Sequence, residues 1–108
     1  MRSLPEADLP SSGLRGWLLQ SESGQVLFGE SISSAELTIP EHSHGDQWGV
    51  ILDGKMDLTI NGQTQSYDRG DTYFIPAGML HRVRIYPGLR AVDYFADSDR
   101  FRVGSQGA

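Results

Sequence analysis

The chain of 108 residues contains no cysteine. This excludes a disulfide framework, thiolate metal sites and a cysteine nucleophile, and leaves histidine, carboxylate and amide side chains as metal ligands. No apolar run approaches the ~20 residues that cross a bilayer. The first residues, Met1 to Gly13, hold no apolar signal core. Helical periodicity is missing as well: no window repeats apolar residues every three or four positions. Basic charge is scarce, with 9 Lys and Arg against 14 Asp and Glu and a formal net charge of -5. That balance argues against nucleic acid or an anionic membrane as a partner. The absences together predict a cytoplasmic protein that binds neither. Histidine is the last scarcity. There are 3, His42, His44 and His81.

What is present is turn chemistry. The chain has 13 glycines and 5 prolines, and they punctuate short runs of β-pattern. Residues 1–13 read as an irregular arm, 14–103 as one domain, and 104–108 as a frayed tail. Strands are expected over 16–20, 25–30, 34–39, 47–52, 55–61, 63–67, 72–75, 81–86 and 89–95. Asp53-Gly54 and Asn61-Gly62 read as two-residue hairpins of type I′, in which both central residues take positive φ. Nine short strands and no helix predict an all-β sandwich or barrel.

Most strands are wet on one side. In the run from Lys55, Met56, Leu58 and Ile60 alternate with Asp57, Thr59 and Asn61. The run from Gln47 differs, because Gln47, Gly49 and Ile51 share one face while Trp48, Val50 and Leu52 share the other. If Gln47 looks inward, Trp48 needs a cover from outside. A second copy of the chain, giving a homodimer, or the N-terminal arm would supply it.

The histidines fall into two motifs. The first is Glu41-His42-Ser43-His44-Gly45-Asp46-Gln47, and the second runs from Gly70 through Pro76 and Gly78 to His81. Alternate residues of a strand face the same way, so His42 and His44 can aim two imidazoles at one point. His81 from another strand would complete a metal site, imidazole being the commonest biological metal ligand.

At this spacing the paired motifs resemble the cupin superfamily, in particular small single-domain microbial cupins. The cupin pattern is Gly-x5-His-x-His-x3/4-Glu-x6-Gly followed by Gly-x5-Pro-x-Gly-x2-His-x3-Asn. Gly70, Pro76, Gly78 and His81 match the second part in register, with Ile85 at the Asn position. His42, His44 and Gly54 match the first, with Glu36 at its opening glycine. Gln47 stands where the ligand glutamate is usual, one residue closer to His44. The resemblance implies a single-domain cupin β-barrel, a small double-sheet jelly roll. It also implies one divalent transition metal held by His42, His44, His81 and Gln47, with Fe, Ni, Zn, Mn and Co all suited to such donors.

A neutral fourth ligand leaves the ion its full charge. In a low-dielectric pocket that favours a small anionic ligand, or one that becomes enolate-like and is polarised by the metal. Asp93, between Val92 and Tyr94, is the candidate acid/base, because burial would raise its pKa towards neutrality. The alternative for Asp93 is an ion pair with Arg82, Arg84 or Arg90. Asp46 is the alternative to Gln47, although on a strand it should face the other way. The stretch from Val92 to Phe101 is also similar to the tail of small cupins that linearise unsaturated uronates, which implies an isomerase or lyase acting on a uronate-like substrate. An Fe(II)-dependent dioxygenase and a non-enzymatic ligand-binding protein are the competing expectations. Tyr73, Phe74 and Tyr94 are candidates for the pocket wall, and Arg82 and Arg84 for the solvated face.

Overall fold

The computed structural model describes residues 4–103. The nine expected strands are all present, and two short ones join them. In chain order they are β1 (Ala7–Asp8), β2 (Leu14–Gln20), β3 (Gln25–Ser31), β4 (Leu37–His42), β5 (Gln47–Asp53), β6 (Lys55–Ile60), β7 (Gln63–Asp68), β8 (Thr72–Ile75), β9 (His81–Ile85), β10 (Arg90–Phe95) and β11 (Arg102–Val103). The described residues contain no helix. An antiparallel sheet of five, ordered β2-β3-β10-β5-β8, faces an antiparallel sheet of four, ordered β4-β9-β6-β7. This is the expected all-β jelly-roll barrel.

The core forms where the inward faces meet. Ile51, Met56, Leu58, Tyr73, Ile75, Ile85, Leu89 and Ala91 make one buried cluster. Ala7, Leu18, Leu27 and Phe95 make a second, with Leu9 and Phe101 against it. The alternation read in β6 holds, with Met56 and Leu58 buried inside while Asp57 carries Ser66 and Tyr86 on the outer face.

The N-terminal arm is tied down. Ala7 and Asp8 pair with Val103 and Arg102, and Pro5 O accepts from Leu18 N at 2.9 Å. Because Ala7 and Leu9 pack with the inward-facing Leu18 and Leu27, the described part of the arm lies at the barrel's inner side and does not cover Trp48. The tail over 104–108 lies outside the described residues.

Two local readings change and one holds. The strand expected over 34–39 runs instead from Leu37 to His42, after bends at Ser34 and Ala35. Asn61 and Gly62 do take positive φ, at 52° and 80°, as type I′ requires. Asp53-Gly54 is not a hairpin. Only Gly54 has positive φ there, at 80°, and β5 and β6 belong to different sheets. The chain crosses between sheets at this point. A Cβ on Gly54 would stand 2.7 Å from Leu89 Cα and 2.9 Å from Gly88 O, both backbone. Gly54→Ala therefore combines a disallowed dihedral with a backbone clash, and we expect it to destabilise the fold by more than ~1 kcal/mol, measured by urea unfolding.

The outer face of the five-stranded sheet is apolar in two cross-strand rows. Trp17, Phe28, Val92 and Val50 lie in register, as do Leu19, Val26, Tyr94, Trp48 and Phe74. Trp48 is 48% exposed and Phe74 44%. Their rings stack at 4.7 Å, and Tyr94 lies 5.7 Å from Trp48. Phe74 and Tyr94 thus point outward. Of the three aromatics expected to line the pocket, only Tyr73 does so.

Candidate metal centre

A single extra residue in β4 builds the site. Leu37 and Ile39 face inward, and strict alternation would put Glu41 inside next. The ladder to β9 shifts between Ile39 and His42, so that Ile39 pairs with Val83 while His42 pairs with His81. Such a bulge re-aims the side chains beyond it. Here it turns His42 inward, directly opposite His81. His44 follows in the loop before β5 and not on the strand. That loop is pinned on three sides: Gly45 N donates to Asp97 Oδ2 at 2.7 Å, Gly78 N to His44 O at 2.9 Å, and Ala77 N to Asp46 Oδ1 at 2.7 Å. Asp46 is therefore spent on the turn that precedes His81.

The three imidazoles converge. Their ring centroids are 4.3 to 5.2 Å apart, and one ligand atom from each lies within 4.8 Å of the others. Each Nδ1 faces a backbone carbonyl: His42 to Pro40 O at 2.8 Å, His44 to Gly45 O at 2.8 Å and His81 to Met79 O at 3.0 Å. A carbonyl only accepts, so each Nδ1 carries a proton, and Nε2 is the nitrogen left to offer a lone pair when the ring is neutral. His44 Nε2 is buried without a hydrogen-bond partner. Burial lowers the pKa of His44 and His81, with Gly45 O and Met79 O opposing the shift. Three converging imidazoles, each with Nδ1 on a carbonyl and Nε2 left as the ligand atom, fit a divalent transition metal.

The same cavity takes in Gln47, Tyr73, Asp93 and Arg100. Its remaining wall is largely aliphatic, and it includes Ile39, Met56, Leu58 and Leu89. Asp93 makes no ion pair with an arginine. Arg84 stands 3.8 Å from Glu36 and Arg90 3.7 Å from Glu30, and Arg82 is exposed on the outer face. Asp93 Oδ1 instead accepts from Gln47 Nε2 at 2.9 Å and from the Tyr73 hydroxyl. Burial pushes the Asp93 carboxyl up to about 6, against the two donors, which pull it down.

Arg100 was not foreseen from the sequence. Its Nε is buried without a hydrogen-bond partner, and its guanidinium lies 4.9 Å from the Phe101 ring centroid and 6.0 Å from that of Phe95. Burial lowers its pKa, and Asp97 partly restores it. The segment that carries it is fixed by Gln25, which is 1% exposed. Gln25 donates to Phe101 O and accepts from Phe101 N, both at 2.9 Å. Only the buried polarity of Gln25 beside an apolar β3 could have signalled this anchor. Arg15 and Glu30 also line the cavity, but Arg15 pairs with Glu6 at 2.9 Å and Glu30 approaches Arg90. Asp93 and Arg100 are thus the charged lining groups without an ion pair among the described residues.

The Cupin domain family profile matches residues 30–92. The chain is a cupin. The matched span includes both histidine motifs and ends one residue before Asp93. Among solved structures, this cupin is similar to KdgF from Halomonas sp., with a TM-score of 0.72 at 14% identity over 92% of this chain and 97% of that one. It is also similar to an RmlC-like cupin from Shewanella frigidimarina, at TM-score 0.74 and 19% identity over 89% and 86%. A third is a cupin superfamily protein from Desulfitobacterium hafniense, at 0.70 and 18% over 82% of each. At these identities the likeness is one of fold. Comparison with curated protein sequences gives no significant match. No helix among the described residues is long and apolar enough to cross a membrane.

Proposed function

We propose that this cupin holds one divalent transition metal on His42, His44, His81 and Gln47, and that it isomerises or cleaves a small anionic, uronate-like substrate with Asp93 as acid/base. The observation that carries the reading is the composition of one cavity. Three lone pairs converge beside an unpartnered guanidinium nitrogen and a carboxyl near neutrality. A metal ion bound there supplies Lewis-acid polarisation of a substrate hydroxyl or carbonyl oxygen. Arg100 offers a charge-assisted hydrogen bond to a carboxylate, strengthened by its dry surroundings. Asp93 Oδ1 is tethered by two donors, which leaves Oδ2 to take and return a substrate proton. A carboxyl at about 6 does this efficiently near neutral pH.

The test supplies metal-loaded protein with an unsaturated uronate and with its neutral methyl ester. Proton NMR follows conversion, and calorimetry follows binding. Conversion of the acid, with the ester bound at least ~10-fold more weakly, is expected from loss of one charge-assisted contact. Equal handling of acid and ester would remove the anion preference. The aliphatic share of the wall favours a second reading, an Fe(II)-dependent dioxygenase for a less polar ligand, which oxygen uptake with Fe(II) would reveal. Tight binding of the acid without turnover would make the protein a ligand-binding module.

The homodimer belongs to the same reading, with a second copy on the outer face of the five-stranded sheet. Five strands at ~4.8 Å spacing give a face ~24 Å wide. Two apolar rows ~7 Å apart across it give a patch of roughly 340 Å², the apolar centre of an interface that must extend to about 800 Å² per partner. Trp48 on β5 and Phe74 on the edge strand β8 form its most exposed aromatic pair and serve as anchors. Wild-type protein should sediment as a dimer and Trp48→Glu as a monomer. A wild-type monomer at micromolar concentration would contradict the assignment.

A further inference from the structure

We infer that Tyr73, reaching across the bare Gly49, is a positioning residue that makes Asp93 grip the Gln47 amide by its nitrogen and so presents Gln47 Oε1 to the three histidines. The inference rests on the reading of Gln47 as a metal ligand and adds what orients it.

The register places the parts. Tyr73 on β8 pairs with Gly49 on β5, and Gly49 pairs with Asp93 on β10. The three form one inward row, two strand spacings wide. Tyr73 and Asp93 are therefore about 9.6 Å apart at their Cα atoms, too far to touch unless the middle position is empty. Gly49 empties it. A Cβ there would collide with Tyr73 Cζ, the Tyr73 hydroxyl and Asp93 Oδ1. The tyrosine ring fills the vacated space and donates its hydroxyl proton to Asp93 Oδ1.

Gln47 enters on the diagonal of the same ladder, since it pairs with Phe95 while Gly49 pairs with Asp93. Diagonal neighbours stand within side-chain reach, and Gln47 Nε2 donates to Asp93 Oδ1 at 2.9 Å. The polarity of this contact settles the amide's orientation. Asp93 Oδ1 already accepts from the Tyr73 hydroxyl, and as an acceptor it takes the NH2 end of the amide. With the nitrogen held there, the other end of the amide is an oxygen, and oxygen is the end a metal binds. Tyr73 cannot accept a proton from Asp93 and donate to it at once. Its donation keeps the near oxygen an acceptor and keeps the amide from turning over. Tyr73 is 7% exposed, and its edge-on packing against Tyr67 at 5.5 Å fixes the ring.

The probe is Co(II) added to metal-stripped protein, read by visible absorption and by competition with a chelator. Wild type, Tyr73→Phe, Gln47→Ala and the double variant are compared. Tyr73→Phe is expected to weaken Co(II) binding ~10-fold, in the range found for groups that orient metal ligands, and to shift the absorption band. In the Gln47→Ala background it should change neither. Unaltered affinity and spectrum in Tyr73→Phe would overturn the inference. So would an equal effect in both backgrounds, because the tyrosine would then act other than through Gln47. If Gln47→Ala itself changes nothing, the ligand assignment of Gln47 falls and takes the inference with it, while binding by the histidines stands. Asp93→Ala serves where Tyr73→Phe fails to fold. It removes the oxygen that holds the amide nitrogen and should reproduce the same weakening.

Discussion

His42→Ala should lower affinity for a divalent transition metal by at least ~100-fold while leaving the metal-free barrel nearly as stable as wild type. The size follows from the ligand's rank: groups that only orient ligands cost 10- to 100-fold, so a ligand itself costs no less. The small effect on the apoprotein follows from position. His42 lies at the end of β4 and is only partly buried, so the loss of its ring should cost less than about 1 kcal/mol. His81 provides the contrast. It is 2% exposed, and His81→Ala should lose metal and also about 2–4 kcal/mol of apoprotein stability through the cavity it leaves. The difference separates ligation from packing. Wild-type protein at ~100 times its dissociation constant for the metal gains about 2.7 kcal/mol. For a domain of this size that raises Tm by roughly 10 °C or more, and neither variant should show the rise. Thermal scans with and without Ni(II) or Co(II) decide it.

Asp93→Asn carries the second large effect. As acid/base, Asp93 should be worth about 100- to 10,000-fold in turnover of the uronate-like substrate, measured as kcat. The same substitution should stabilise the metal-free protein at high pH. The folded-state pKa of Asp93 is raised from 3.8 to about 6. Between those values the folded protein binds more protons than the unfolded chain, so the carboxyl's contribution to stability falls as pH rises. The loss begins near pH 4 and is complete somewhat above pH 6, at about 3 kcal/mol. Asparagine keeps the shape and a carbonyl oxygen for the Tyr73 and Gln47 donors but carries no charge. The wild type and Asp93→Asn should therefore be equally stable near pH 4, and the variant should be more stable at pH 8. Urea unfolding in the presence of a chelator at both pH values measures this. A difference that is flat with pH would mean that Asp93 is not held in a desolvated place.

The sheets and the histidine triad were legible in the sequence because both rest on local signals. Period-two alternation marked β5, β6 and β10, and the glycine turns bounded them. Register with a distant strand was not legible. The bulge at Pro40-Glu41 depends on how β4 meets β9, and it explains why His42 faces in even though Leu37 and Ile39 set the opposite parity. Asp53-Gly54 has the composition of a hairpin. Whether the next strand folds back or crosses to the other sheet is decided by which strands β5 and β6 can pair with. Gln47 and Asp93 were recognised as separate candidates. Their contact, and the Tyr73 hydroxyl that completes it, arises from a cross-strand row that no linear pattern shows. Arg100 was hidden for the same reason, since its place depends on Gln25 at 76 positions' distance from Phe101. The arm expected to be irregular contributes β1, whose two residues are too few to leave a pattern.

In the proposed metal site three histidines, each held with Nδ1–H on a backbone carbonyl, present three Nε2 atoms to one ion. Nitrogen NMR of the imidazoles, recorded on metal-stripped protein and again after titration with Zn(II), tests it most directly. Three Nδ1–H tautomers are expected before metal, and one equivalent of Zn(II) should shift all three Nε2 resonances together. Unmoved Nε2 resonances, or binding through Nδ1, would contradict it.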